Sequence, residues 1–133
     1  ATAITRTPSR HHSGPTLRSG VFEWTQLQAQ PTKVGERRSI LKGSTVTMVE
    51  LACHASTVKG HQAAHGAHRH PDDEIVIVRE GTLEVSINGI AHQAESGSVL
   101  FFSSNDLHGM RNLGATPATY YVIRMITAET PPR

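Results

Sequence analysis

His68, His70 and Glu74 stand close enough along the chain for one metal ion to reach all three side chains. In an extended segment successive side chains alternate faces, so imidazoles two residues apart point the same way. Pro71, Asp72 and Asp73 follow. Proline fixes φ and aspartate bonds its own backbone, so these residues predict a turn that brings Glu74 back to the same interior. Two imidazoles and a carboxylate are borderline-hard donors of the kind that hold divalent transition metals. The following run, Ile75, Val76, Ile77 and Val78, is β-branched throughout and reads as a strand buried on both faces. Gly81 ends it in a turn where positive φ is expected.

The spacing His-x-His, three residues, Glu, six residues, Gly resembles the first motif of the cupin superfamily, here His68, His70, Glu74 and Gly81. A second motif of that family runs Gly, five residues, Pro-x-Gly, two residues, His, three residues, Asn. Gly97, Ser103, Asn105, His108 and Asn112 stand at those offsets. Ser103 replaces Pro, and Asn105 replaces a Gly; asparagine tolerates the left-handed region, so the turn survives. The leading Gly of the first motif would fall at Gln62, with Gly60 and Gly66 nearest. The resemblance spans about residues 40–127, with motif 1 at 60–81 and motif 2 at 97–112. It implies an all-β, single-domain jelly-roll barrel (a monocupin) over 21–133. It also implies one divalent transition metal per chain (Fe, Mn, Ni, Co or Zn) on His68, His70, Glu74 and His108, and a homodimer.

Around that centre the chain has 133 residues, enough for one domain to bury a core without disulfides. Cys53 has no intrachain partner and reads as a small buried hydrophobe. The net charge of +2 is concentrated at the start. Residues 1–20 carry Arg6, Arg10 and Arg18 and no acid, whereas 21–133 are nearly neutral. With no basic stripe interleaved with aromatics, the barrel is not expected to bind nucleic acid, and no apolar run is long enough to span a membrane. A soluble protein is expected, cytoplasmic or exported after removal of a leader.

In chain order, residues 1–20 read as a flexible arm, because Pro, Ser, Gly and His offer little apolar surface to bury. His11 and His12 within it read as solvated. Residues 21–27, with Trp24, form a first strand or short segment, and 35–43 form a strand whose Arg37 and Arg38 read as a salt-bridged surface. Residues 45–53 are rich in Thr and Val and predict a strand across the barrel, with Glu50 placed awkwardly in it. Between Ala52 and His70 lie His54, His61, His65, His68 and His70; His61 and His65 read as loop groups beside the site. Residues 82–88 alternate cleanly, and Asn88-Gly89 predicts a type I′ hairpin into 90–94, beyond which His92 is a surface residue. Residues 99–102 read as a buried strand, and 118–127 as the last one.

Four protein donors leave about two octahedral positions open, which suits catalysis better than scaffolding. The pocket is expected to be lined by Val76, Val78, Phe101, Met110, Tyr121 and Met125, with Arg111, Arg124 and the two tyrosines, Tyr120 and Tyr121, as polar anchors, an arginine holding the carboxylate of a small organic acid. The leading expectation is a metal-dependent enzyme that oxidises a small organic molecule with O2. The alternatives are a non-catalytic binding or sensing barrel, or an isomerase or hydrolase.

Overall fold

The computed structural model describes residues 16–133. The expected arm lies mostly outside the described residues, as do His11 and His12. Of its described part, Thr16 bridges Ser44 and the Leu17 N–H donates to the Ser44 carbonyl at 2.8 Å. Among the described residues the strands are β1 (Ala29–Thr32), β2 (Gly35–Gly43), β3 (Glu50–Val58), β4 (Asp73–Glu80), β5 (Thr82–Ile87), β6 (Ile90–Glu95), β7 (Val99–Phe102), β8 (His108–Asn112) and β9 (Ala118–Ile126). They form a six-stranded sheet in the order β1-β2-β3-β9-β4-β7 and a three-stranded sheet β6-β5-β8. Every strand pair is antiparallel, and the two sheets make the expected jelly-roll barrel. No helix among the described residues is long and apolar enough to cross a membrane.

Register decides which side chains face the interior. Across the larger sheet Leu100, Val76, Val122 and His54 share one inward row, and Val78, Tyr120, Ser56 and Arg37 share the next. Val76, Val78, Leu100, Phe102, Tyr120 and Val122 pack with Leu83 and Val85 of the smaller sheet into one core. Each such aliphatic or aromatic side chain contributes about 1.5–3 kcal/mol by leaving water. The Asn88-Gly89 hairpin is as expected, with φ of 49° and 83° at its two central residues, the signs a type I′ turn requires.

Four expectations need correction. Residues 45–49 are not strand: the Thr45 hydroxyl accepts from the Met48 N–H at 2.9 Å, and the Thr45 N–H donates to the Met48 carbonyl at 3.1 Å. This local turn competes with the sheet, and Val46 is left 83% exposed. β3 instead starts at Glu50 and runs to Val58, so His54 sits in mid-strand. Residues 21–27 contain a 3₁₀ turn at Trp24–Gln26, and the strand follows at β1, where Pro31 is tolerated because β1 is a sheet edge. β7 is buried on one face alone, with Val99 67% and Phe101 56% exposed. Residues 75–78 are fully buried on one face alone, Ile75 and Ile77 being half-buried, and 108–112, given no element from the sequence, form β8.

Candidate metal centre

Glu74 is the second residue of β4 and pairs with Phe102 of β7 and Arg124 of β9, which places it on the inner face. His108 opens β8. His68, outside the strands, is locked to it by a two-way bridge, His68 N–H to His108 O at 2.9 Å and His108 N–H to His68 O at 3.0 Å. Asn105, at φ 63°, adopts the left-handed conformation expected of it. Its N–H donates to the His70 carbonyl at 2.8 Å, so the turn before β8 holds the loop before β4.

The three imidazoles converge, with one ring nitrogen from each of His68, His70 and His108 within 4.8 Å of the others. The Glu74 carboxylate reaches two of them, Oε1 lying 3.3 Å from His70 Nε2 and Oε2 3.5 Å from His108 Nε2. Tautomers follow from the remaining nitrogens. His70 Nδ1 lies 3.1 Å from the Asp72 carbonyl and His108 Nδ1 3.0 Å from the Asp106 carbonyl. A carbonyl accepts and never donates, so both Nδ1 atoms carry a proton, which leaves Nε2 of each ring as the atom able to turn a lone pair to the centre. Phe102 stacks on the His108 ring at 4.2 Å and holds its plane.

These residues fit a divalent cation. Nε2 of His70 and Nε2 of His108 are buried without a hydrogen-bond partner. Such orphans are costly, and a cation shared with Glu74 and His68 would satisfy both. The charges are also prepared. Burial, then the neighbouring His65, His108 and His70 rings, push His68 down to about 4, keeping it neutral. Burial pushes the Glu74 carboxyl up, but His108, His70 and Arg124 outweigh it and leave it below the usual carboxylate range. Burial lowers His108 as well, yet Glu74 more than reverses this and its pKa ends above the ordinary value.

Beside the cluster lies a cavity of about 280 Å³. Met110, Arg124 and Tyr120 are among the residues that line it. Val76 and Val78 are sealed in the core instead. Phe101 and Tyr121 face the other way: Phe101 is exposed on β7, and Tyr121 meets Trp24 edge-on at 6.1 Å between ring centroids. Met125 shares their outward face, and Arg111 is an exposed partner of Glu84 at 3.4 Å. Tyr120 and Val122 take the wall positions, one residue to either side of Tyr121. His54, Arg37 and Arg69 also line the cavity. The signal for His54 was strand parity, concealed while β3 was placed five residues early. His65 lines it too and packs on His68 with ring centroids 4.0 Å apart, whereas His61 belongs to a turn and donates its N–H to Gly114.

Asn112 has a structural part. Its Nδ2 donates to the carbonyls of Val58 at 3.0 Å and Thr116 at 2.8 Å, and its Oδ1 accepts from the Gly114 N–H at 2.9 Å. Asp72, buried, accepts from Arg124 on one oxygen and lies 3.7 Å from Arg133 on the other.

Fold and site together define a small β-barrel with an internal site able to hold a transition metal. Residues 55–124 match the Cupin_2 family model, described as a cupin domain, and the chain belongs to that family. Solved structures agree in fold. An RmlC-like cupin from Shewanella frigidimarina superposes with a TM-score of 0.67 at 18% identity, covering 84% of this chain and 95% of the other. A predicted oxalate decarboxylase from Thermotoga maritima gives 0.66 at 16% identity, covering 80% and 99%. The polyketide cyclase RemF from Streptomyces resistomycificus gives 0.66 at 15%, covering 86% and 83%. The sequence matches no curated protein.

Proposed function

We propose that the chain is a metal-dependent enzyme acting on a small organic molecule, with O2-dependent oxidation as its reaction. The observation that carries this reading is the pair of unpartnered Nε2 atoms, on His70 and His108, facing Glu74 beside an open cavity. An iron, manganese, nickel, cobalt or zinc ion on His68, His70, Glu74 and His108 would supply a Lewis acid and, if redox-active, electrons for dioxygen chemistry. The protein's own part is to orient and to exclude water. Met110 and Val122 give the cavity an apolar wall, while Tyr120 and Ser56 offer hydroxyls to a substrate. Cys53 is absent from the lining and burial raises its thiol pKa, which leaves it a poor nucleophile. Enzymes on small organic molecules among the similar folds, a predicted oxalate decarboxylase and a polyketide cyclase, are in keeping with this.

The test is metal analysis of the purified protein followed by O2 uptake with a panel of small acids and phenols. Bound iron with substrate-dependent uptake is expected. Zinc or nickel with no uptake would reject the oxidation; product formed without O2 would then point to isomerase or hydrolase chemistry, and binding without turnover to a sensing barrel.

We also propose a homodimer joined through the outer face of the larger sheet. Phe101, Ile75, Ile123, Cys53 and Leu41 lie in one outward row across β7, β4, β9, β3 and β2. β7 has a neighbour on one side alone, so both an apolar face and a sheet edge await a second copy.

A further inference from the structure

We infer that the molecule received by this cavity is a small carboxylate, its charged end seated on Arg37 and Arg69 with His54 as a hydrogen-bonding partner. This rests on the proposed site and names its substrate class. Among the described residues four arginines line the cavity, Arg37, Arg69, Arg124 and Arg133, against one acidic side chain, Glu74. Two of the four are already engaged, since Arg124 and Arg133 both face the buried Asp72. Arg37 and Arg69 have no ion-pair partner among the described residues. Strand parity explains the contrast with the next residue. Arg38 points outward, where it bonds Glu36 at 3.2 Å and lies 4.5 Å above the Trp24 ring, while Arg37 takes the inward row with Ser56 and Tyr120.

His54 stands one inward row from Arg37, beside Val122. Burial, then the charge of Arg37, lower its pKa to about 4, so the ring is neutral. It adds a donor without adding charge, which suits a carboxylate group, carrying one charge on two oxygens, better than a phosphate group carrying two. The cavity, about 280 Å³, lies at the small end of ligand pockets, so the acid is compact. A second oxygen function, hydroxyl, keto or carboxylate, would reach across to the histidines.

Calorimetric titration of the purified protein with malonate and with succinate tests this, against malonamide, succinamide and inorganic phosphate. At least one diacid should bind about tenfold or more tightly than its diamide and than phosphate. Arg37→Gln and Arg69→Gln should each weaken that binding by about tenfold with an unchanged melting temperature, and Arg111→Gln should leave it unchanged. Equal binding of diamides, tighter binding of phosphate, no binding of either diacid at millimolar concentration, or indifference to both arginine substitutions would overturn the inference. Glu74→Gln separates the two claims. If it removes the metal while residual diacid binding still depends on Arg37, the seat stands independently; if it leaves the metal in place, the metal assignment fails and the arginine result is read by itself.

Discussion

Each histidine with a backbone-bonded Nδ1 has one nitrogen committed to the fold and one to the centre. Removing His70, His108 or the Glu74 charge should therefore abolish metal binding without unfolding the barrel. His70→Ala, His108→Ala and Glu74→Gln are each expected to lower affinity by more than about a hundredfold, since even indirect partners of ligands are worth 10–100-fold. His92→Ala, at an exposed position of β6, should change nothing. Elemental analysis after dialysis checks this, and one tightly held metal per chain in the Glu74 and His70 variants would sink the ligand assignment. Because Glu74 raises the His108 pKa above 6.5, protons compete for that nitrogen earlier than for an ordinary imidazole. Apparent metal affinity should therefore already be falling at about pH 6.5; an affinity that stays flat down to about pH 5 would contradict it. His68, His70 and Glu74 were legible in the sequence because their spacing is local, and His108 through the resemblance of the second motif. The cavity wall was only partly legible, since Tyr120 and Tyr121 differ by parity alone and parity depends on where β9 pairs.

At the scale of elements, the turns before β5 and β8 are the sensitive joints. Gly81 has φ 92°, and a Cβ there would meet the Ala118 Cβ at 2.7 Å and the Ala118 Cα at 2.9 Å. Gly81→Ala should cost roughly 2–4 kcal/mol, from the left-handed backbone and the clash together. Gly66→Ala, with nothing within 4 Å, is the neutral control. Asn105→Gly should fold at least as well as the natural protein, whereas Asn105→Val should lose about 1–2 kcal/mol and loosen the metal by shifting the start of β8. Chemical denaturation of both pairs decides it, and equal stability of the Gly81 and Gly66 variants would refute the packing argument. Gly81 and Asn105 could be located from the sequence because positive φ restricts residue type so strongly. Sequence reading misplaced β3 because Thr and Val favour strands on average, while a Thr45 hydroxyl close to two backbone N–H groups favours a turn in particular.

For the whole molecule, two half-buried rings set the response to acid. His54 and His68 are held at about 4 against an ordinary 6.5. Between those values the unfolded chain binds more protons than the folded one, so stability falls as pH drops from 6.5 towards 4. Screening at these half-buried positions reduces the effect to about 1 kcal/mol per ring. Glu74, with its lowered pKa, adds to the loss below its ordinary 4.5. Melting of metal-free protein should show this slope, diminished in His54→Gln; a flat profile would count against half-buried neutral rings. Light scattering should give a dimer mass, and a monomer across a tenfold dilution would reject the outer-face pairing. The apolar outer row was hidden from the sequence because it is assembled from five separate strands.

Glu74 belongs to the six-stranded sheet, while His108 and the bridged His68 belong to the three-stranded one. An ion bound by all of them would rivet the two walls of the barrel together. It could not escape until the walls parted, so its dissociation lifetime would be a clock for breathing of the barrel. Substitutions far from the histidines that loosen the contact between sheets should then shorten that lifetime even where every ligand is intact.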